Sequence, residues 1–283
     1  MTLCYLNGEI EHLKDARVSV LDRGFLFGDG VYEVVPVYAG KPFYWERHME
    51  RLARSLKKTG IEAKTELLEQ SVQELISRAD SDYLALYIQI TRGAAATRKH
   101  FFPRPAPSPT VFMMATPLAP VAAEKIQNGV CCRSEKDFRW QRGDIKSISL
   151  LGAVLVSEEA TAGGYEETIF VRDGVVTEAA ACNIIVVQDK NHVVTPVADE
   201  RILRGITRDV VLEIARSLDI EVVERDVTRA ELAVAPEVWI TSSTREVLPV
   251  TELDGVAIGS GKPGAVFQKV YAALRRHIEN GGF

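Results

Sequence analysis

The sequence predicts an α/β (α+β) protein with a small N-terminal α/β domain and a larger β-rich C-terminal domain that also carries helices. Strand-like and helix-like segments alternate along most of the chain. With 283 residues, of which 46% are hydrophobic and 26% charged, the chain can form two domains or one large one. The Pro- and Ala-rich segment TPLAPVAA is typical of an interdomain linker. We therefore predict domains at residues 1–116 and 124–283, joined by a linker at 117–123.

The N-terminal part predicts strands and tight turns around two helices. Asn7-Gly8 is a hairpin signal, and Gly60 is a stop signal for the first helix. The Pro-rich loop at residues 93–109 is long for a segment without predicted structure, which is typical of a functional or disordered loop. The predicted strands are residues 3–6, 31–38, the segment YLALYIQITRG and 110–115, and the predicted helices are 46–58 and 65–78.

A glycine-rich stretch, LDRGFLFGDGVYEV, interrupts this pattern. Gly24, Gly28 and Gly30 lie within seven residues, which indicates unusual backbone angles or close approach. Their spacing matches neither GxGxxG nor GxxxxGK, so a nucleotide-binding loop is only weakly indicated.

The C-terminal part alternates strands with three predicted helices. Residues 150–156 are apolar except for Gly152, so the helix after Lys146 should be buried on most sides. The other two helices carry apolar residues on one face. The predicted strands are residues 129–133, 167–171, 175–177, 183–187, 221–225 and 238–241, and the other helices are 207–218 and 264–278.

Composition and charge exclude several classes of function. A net charge of -5 provides no basic field, so neither nucleic acid nor an anionic membrane is an expected partner. The start MTLCYLNGEI lacks the features of a signal peptide, and no apolar run reaches about 18 residues, so we expect a cytoplasmic protein. Four cysteines without a CxxC pair and five scattered histidines indicate neither a disulfide framework nor a metal site.

Lys146 is the candidate for covalent chemistry because it precedes the predicted buried helix. Burial disfavours an ammonium group, so it would lower the lysine pKa from its ordinary value of about 10.4. The resulting nucleophilic amine is what a Schiff-base lysine needs. The alternative, favoured by this segment alone, is a surface lysine that pairs with Asp144 or lies at a helix start capped by Ser147 or Ser149.

Three further segments have residue types that suit an anionic cofactor. Glu178 ends a predicted hairpin and precedes small residues that permit close approach. The segment RGITRD places Thr207 at a helix start, where free amides and the helix dipole favour a phosphate. TSSTRE, residues 241–246, supplies hydroxyl groups after an apolar strand. Taken singly, each is equally an ordinary turn carboxylate, helix cap or polar strand end.

Taken in order, these features resemble the fold type IV pyridoxal-phosphate enzymes. The glutamate follows the lysine by 32 residues, and the helix start and the hydroxyl cluster come later. The segments RGFLFGDGVYEVV, QITRGAAATRKHFFP, GDIKSISLLGAVL, VTEAAACNI, LRGITRDVV and TSSTREVLPV look like the successive motifs of the D-amino-acid aminotransferase family. The resemblance extends over nearly the whole chain, so it is far more specific than any one motif.

The resemblance implies pyridoxal 5'-phosphate as the cofactor. Lys146 would form the internal aldimine and move the proton of the substrate α-carbon. Glu178 would face the pyridine nitrogen and keep it protonated. Phosphate contacts are implied for Arg51, Ile206, Thr207 and Ser243, and ring packing for Leu203. The alternative for Arg51 is a solvated helix cation.

The resemblance also implies a substrate site and a dimer. Arg98 and His100 on the loop, together with Tyr32, would bind the substrate carboxylate, and Val34 would line the side-chain pocket. The loop at residues 93–109 would reach the site of a neighbouring subunit, so a homodimer is implied. The expected reaction is ping-pong transamination between a D-amino acid (D-alanine, D-glutamate or D-aspartate) and a 2-oxo acid.

The chain departs from the family pattern after Glu178 and in the last motif. Ala180, Ala181 and Cys182 stand where serines are common, Ser243 replaces a threonine, and Arg245 replaces a small polar residue. The first departure removes hydroxyl contacts, and the bulky Arg245 could change the substrate range.

Other activities on the same core remain open. Relatives act on branched-chain L-amino acids or on (R)-amines, or cleave aminodeoxychorismate, and all would keep the lysine and the glutamate. The Arg98 and His100 pair favours D-amino acids. A cofactor-binding protein without turnover and an unrelated α/β protein are alternatives from other classes.

Overall fold

A computed structural model describes residues 2–65, 68–281 and 283. The chain divides into two compact units, the first running to Ala119 and including Ile145–Leu150, the second comprising Pro120–Asp144 and Leu151–Phe283. The segment that carries Lys146 therefore belongs to the first unit, whereas the predicted C-terminal domain of residues 124–283 includes this segment. That division, with its linker, stays a prediction. The mixed α/β class is confirmed, with eight helices and two sheets among the described residues.

The first unit is an antiparallel sheet that carries two amphipathic helices. The order of its six strands is β2-β1-β6-β5-β3-β4. The elements are β1 (Leu3–Leu6), β2 (Glu9–His12), α1 (Arg23–Phe27), β3 (Gly30–Tyr38), β4 (Lys41–Pro42), α2 (Trp45–Thr59), α3 (Leu68–Ser77), β5 (Leu84–Thr91) and β6 (Thr110–Pro117). The helix predicted over residues 65–78 begins at Leu68, and residues 66 and 67 of that prediction lie outside the described residues.

The core of the first unit lies between this sheet and its helices. Leu52 and Leu56 of α2 and Val72 of α3 are buried in one cluster with Val35 and Ile88 of the central strands. Strand β3 pairs with β5 along its length, in a register that sets Tyr32 opposite Gln89. This pairing makes β3 a rigid support for the residues at its start.

The second unit is built on a ten-stranded mixed sheet. Strand β7 pairs in parallel with both β8 and β15, and β11 pairs in parallel with β12, while the other neighbours are antiparallel. None of the helices in the described part of the chain has the length and apolar character needed to cross a membrane. The elements are α4 (Ala123–Asn128), β7 (Val130–Lys136), α5 (Leu151–Ala162), β8 (Glu167–Arg172), β9 (Val175–Ala179), β10 (Asn183–Asp189), β11 (His192–Thr195), α6 (Ile206–Ser217), β12 (Glu221–Glu224), β13 (Val227–Thr228), α7 (Arg229–Ala233), β14 (Glu237–Ser242), β15 (Glu246–Leu253), β16 (Val256–Ala257) and α8 (Ala265–Glu279).

Helix α5 is not buried on most sides, so that expectation was wrong. Leu151, Val154 and Leu155 are 71%, 57% and 52% exposed, and only Val156 and Ala160 of this helix are buried. The two buried residues are four positions apart, so the helix packs through one narrow stripe. An apolar sequence with no amphipathic period predicts burial but does not say what covers the remaining faces.

Candidate functional site

Lys146 lies in a segment without regular secondary structure that is hydrogen-bonded to β3, not at a helix start. Its carbonyl oxygen accepts a hydrogen bond from the Tyr32 amide at 2.9 Å, and its own amide donates to Ser55 Oγ at 3.3 Å. The side chain is half-buried, with Nζ over the face of the Tyr32 ring, 4.2 Å from the centroid. Helix α5 begins five residues later, at Leu151. The lysine is therefore fixed by strand pairing, which a helix-based interpretation did not anticipate.

The side chains of β3 alternate between its two faces, so the predicted substrate residues and the buried Glu33 lie on opposite faces. Tyr32 and Val34 are half-buried, whereas Val31 and Glu33, which point to the opposite face, are fully buried. Because the ring of Tyr32 lies under the amino group of Lys146, the structure brings one predicted substrate residue next to the predicted catalytic residue.

Arg51 is buried, so the solvated-cation alternative is wrong. Its Nε and Nη2 each donate to a different oxygen of Glu33 at 2.8 Å. His48, three residues earlier on α2, places Nδ1 2.8 Å from Glu33 Oε2. Burial raises the pKa of Glu33, but Arg51 and then His48 outweigh this effect and hold the pKa well below its usual range. The strand thus presents a buried carboxylate that fixes two side chains of α2.

Glu33 and His48 were missed as site residues. The signal in the sequence was Glu33 itself, because it occupies an inward position in VYEVVPVY between apolar residues of the same face. A carboxylate at such a position must have a buried partner, since an isolated buried charge is very costly. The sequence did not identify the cation that pairs with Glu33, because Arg51 lies 18 positions further along the chain.

Arg98 and His100 are exposed on the long loop and lie against a single ring. The Arg98 guanidinium carbon is 4.8 Å from the centroid of Phe27, and the His100 ring centroid is 5.4 Å from the same point. The structure therefore places both predicted carboxylate-binding residues against the same aromatic ring. Their role stays a prediction.

In the second unit, Glu178 on β9 is buried within a polar network. Oε1 accepts from Arg139 Nη1 at 2.9 Å, and Oε2 accepts from the Leu203 amide at 3.0 Å. Burial raises the pKa of Glu178, while Arg139 and the Leu203 amide act in the opposite direction without cancelling it. Arg139 is held in turn by Asp137, whose Oδ1 accepts from its Nε at 3.0 Å. Sequence reasoning missed Asp137 and Arg139, although they stand in the segment that leads to Lys146.

Ile206 and Thr207 form the first turn of α6, as predicted. The cap residue Gly205 makes no side-chain cap, so the first amides of the helix are available to a ligand. A Cβ at Gly205 would lie 2.1 Å from Asn183 Oδ1, which explains the glycine. The side-chain amide of Asn183 also donates to the Leu203 carbonyl at 2.8 Å and so fixes the approach to the helix.

Ser243 lies in the tight turn between β14 and β15, and the departures from the family pattern meet beside it. Arg245 Nη1 donates to Glu167 Oε2 at 2.6 Å and to Cys182 Sγ at 3.3 Å. Its Nε lies 3.3 Å from Glu166 Oε1. Burial, and after it the carboxylate of Glu167, raises the pKa of the Cys182 thiol to about 12. Two of the departures, Cys182 and Arg245, are thus parts of one polar cluster.

Groups of the second unit suit a cofactor with a phosphate and a ring nitrogen. Among residues 2–65, 68–281 and 283, nothing hydrogen-bonds the buried hydroxyl oxygen Thr241 Oγ1, which lies two residues before Ser243. A phosphate supplies acceptors for this hydroxyl and for the first amides of α6, and the Glu178 carboxylate has lone pairs left for a ring N–H.

Known proteins share both the sequence pattern and the fold. The pattern of the family described as "Amino-transferase class IV" matches residues 30–253. D-alanine aminotransferase of Bacillus licheniformis is 39% identical over 275 residues, which is 96% of this chain and 95% of that protein.

Solved structures with this fold have different activities. A branched-chain amino acid aminotransferase from T.th., solved with pyridoxamine 5'-phosphate, superposes with a TM-score of 0.88 at 27% identity, covering 98% of this chain and 93% of that one. The 4-amino-4-deoxychorismate lyase of Pseudomonas aeruginosa gives a TM-score of 0.84 at 26% identity, covering 97% and 98%. The fold alone is therefore compatible with more than one reaction.

Proposed function

We propose that this chain, which belongs to the class IV aminotransferases, transfers the amino group of a D-amino acid to a 2-oxo acid with pyridoxal 5'-phosphate as its cofactor. The proposed donors are of the D-alanine, D-glutamate and D-aspartate type. The name of the Bacillus licheniformis relative supports this substrate class.

One observation gives the main structural support for the proposed substrate class. Arg98 and His100 both contact the Phe27 ring, so a guanidinium and an imidazole are held by one aromatic side chain at an exposed loop. Guanidinium binds a carboxylate through two parallel hydrogen bonds, and imidazole adds one directed donor. We propose that they bind the substrate α-carboxylate together with Tyr32. Fixing that group decides which side of the α-carbon faces Lys146.

When bound, pyridoxal 5'-phosphate supplies an electron-accepting ring that stabilises negative charge at the substrate α-carbon. We propose that the Glu178 carboxylate accepts a hydrogen bond from the ring nitrogen and keeps that nitrogen protonated, because an opposite charge nearby favours the cationic form. The proposed phosphate contacts are Arg51 and the turns that contain Ile206, Thr207 and Ser243, and Leu203 is proposed to pack on the ring. Val34 is proposed to line the side-chain pocket.

Lys146 is proposed to move the proton of the substrate α-carbon. Its amino group lies over the Tyr32 ring, and its backbone is anchored at both the amide and the carbonyl. In the first half-reaction Nζ would take the proton from Cα as a general base, the cofactor would retain the amino group, and water would supply the carbonyl oxygen of the released 2-oxo acid. In the second half-reaction the same group returns a proton to the Cα of the new amino acid.

A spectral titration without an amino acceptor tests the substrate class. We expect D-alanine to convert the visible absorbance of the purified holoenzyme to that of the aminated cofactor, and L-alanine and L-leucine to leave it unchanged. Conversion by L-leucine alone would support the activity of the structurally similar branched-chain aminotransferase instead. A protein that shows no cofactor absorbance after incubation with pyridoxal 5'-phosphate would contradict the proposed function.

We also propose that the working unit is a homodimer. The exposed apolar residues of α5 support this proposal, as do Phe101 and Phe102, which are 68% and 55% exposed on the long loop. We expect the purified chain to sediment as a dimer, and Val154→Glu, which places a charge on this face, to shift the population towards monomer. Sedimentation of the unaltered protein as a monomer at micromolar concentration would contradict the proposal.

A cytoplasmic location stays a prediction from the sequence.

A further inference from the structure

Apart from the Phe27 ring, the glycine-rich stretch of residues 22–30 has no role in the proposed function, yet the structure gives it a definite conformation. Asp22 Oδ1 accepts from the Gly24 amide at 2.7 Å and starts α1. Gly28 ends the helix with φ of 65°. The chain then passes through Asp29 into β3. The short helix and its stop therefore place Arg23, at the helix start, and Asp29, just after its end, on either side of one turn.

Asp29 is the acceptor for two guanidinium groups. Its Oδ2 accepts from Arg23 Nε at 2.7 Å and from Arg92 Nε at 2.8 Å, and its Oδ1 accepts from Arg92 Nη2 at 2.9 Å. Both arginines are buried, at 3% and 6% exposure. Although burial raises the pKa of Asp29, the hydrogen bonds and charges of Arg92 and Arg23 outweigh it and keep the carboxyl ionised at neutral pH.

Both arginines reach from Asp29 to the loop that carries Arg98 and His100. Arg23 Nη1 donates to the Lys99 carbonyl at 2.7 Å, and its Nη2 donates to the His100 carbonyl at 3.2 Å. Arg92 lies over the ring of Phe102, 3.6 Å from the centroid. The loop backbone between the two predicted carboxylate-binding residues is thus hydrogen-bonded to a cation that Asp29 holds.

The side chains of the loop are supported by the same short helix. Phe27 carries Arg98 and His100 on its ring, and the guanidinium carbon of Arg23 is 4.7 Å from its centroid. Arg92 is also anchored away from the loop, because it donates to the carbonyls of Thr59 and Gly60 at the end of α2. The loop is therefore connected through Asp29 to the rigid part of the first unit.

We propose that Asp29 is a positioning residue for substrate recognition, holding the loop through Arg23 and Arg92 at the place where Arg98 and His100 bind the substrate carboxylate. This inference rests on the proposed function. Asp29 itself touches no reacting atom. An aspartate suits the role because its two oxygens together accept three guanidinium hydrogen bonds and its charge balances the buried cations, whereas an asparagine would have one acceptor oxygen and no charge.

The test compares Asp29→Asn with a matched aspartate of the second unit. Asp254 also binds a guanidinium, Arg229 Nη2 at 3.0 Å, so Asp254→Asn controls for the loss of an ion pair. We expect Asp29→Asn to raise the KM for D-alanine, and the inhibition constant of the unreactive carboxylate propionate, by about tenfold to a hundredfold. We expect kcat to change by less than about threefold, since the loss concerns carboxylate binding.

Two further measurements separate positioning from a general structural effect. In an Arg98→Ala background, adding Asp29→Asn should raise these constants little further, because both changes remove the same interaction. Hydrogen exchange at the amides of residues 98–102 should be faster in Asp29→Asn and unchanged in Asp254→Asn. Should Asp29→Asn not fold, Arg23→Lys takes its place, because one ammonium cannot hold Asp29 and both carbonyls in this geometry.

Three outcomes would overturn the inference. Unchanged propionate inhibition in Asp29→Asn, or in Arg23→Lys if the first variant does not fold, would show that the network does not position the loop. Additive effects with Arg98→Ala would show that Asp29 acts elsewhere. If Arg98→Ala leaves D-alanine and propionate binding unchanged, the proposed carboxylate site is wrong, and the inference is overturned with it.

Discussion

Lys146→Ala is expected to abolish transamination without unfolding the protein. Loss of a positioned general base alone costs about 10²- to 10⁴-fold in rate, and the covalent link to the cofactor is lost as well. The fold should survive because the Lys146 segment is held by its backbone, through the Tyr32 amide and Ser55 Oγ, and not by the amino group.

Single-turnover kinetics with D-alanine, the visible spectrum and circular dichroism together check this expectation. Lys190→Ala is the matched control, because Lys190 is exposed in the turn between β10 and β11. It should keep both rate and spectrum. A Lys146→Ala variant that turns over at the unaltered rate would remove the lysine from the mechanism, whatever other residues bind the cofactor.

Glu33→Gln is expected to lower the free energy of unfolding by about 3–5 kcal/mol, the usual effect of removing one partner of a buried ion pair. Arg51 would keep a buried guanidinium whose Nε and Nη2 now face an amide instead of a carboxylate. The His48 ring would lose its anionic partner in the same step. Denaturant unfolding measures the difference, with Glu9→Gln, on the exposed side of β2, as the control.

The pH dependence of this variant has a defined sign. Because the folded-state pKa of Glu33 lies below its ordinary value of 4.5, its stabilisation is complete above that pH and is lost as the pH falls further. Burial also lowers the pKa of His48 from 6.5, so its contribution begins to fall below that pH. Glu33→Gln should therefore be less stable at pH 7 and lose less stability below about pH 4.5. Equal stability losses on acidification in both proteins would contradict this account.

The exposed face of α5 shows how sequence and tertiary structure differ in what they determine. Its apolar run correctly indicated a helix, but the predicted burial on most sides was wrong, because the described chain buries only Val156 and Ala160. Periodicity within an element reports how many sides need burial. It does not identify the neighbour, because a neighbouring strand and another subunit impose the same requirement.

By itself the sequence determined the alternation of strands and helices, the order of the motifs and the identity of Lys146 and Glu178 as candidates. The elements are local properties, because chain periodicity and residue chemistry act within a few positions, whereas the candidate residues followed from the order of the motifs along nearly the whole chain. That order implied Arg51, but no local pattern identified Glu33 as its partner.

Only the tertiary structure decided which charges meet. Arg23 binds carbonyl groups 76 and 77 positions away, and Glu178 accepts a hydrogen bond from Arg139, 39 positions earlier. A buried charge must be paired, but many surface and core groups of opposite sign could satisfy it. The pairing of strands selects among them, since it fixes which side chains share one face, and no local pattern in the sequence carries that information.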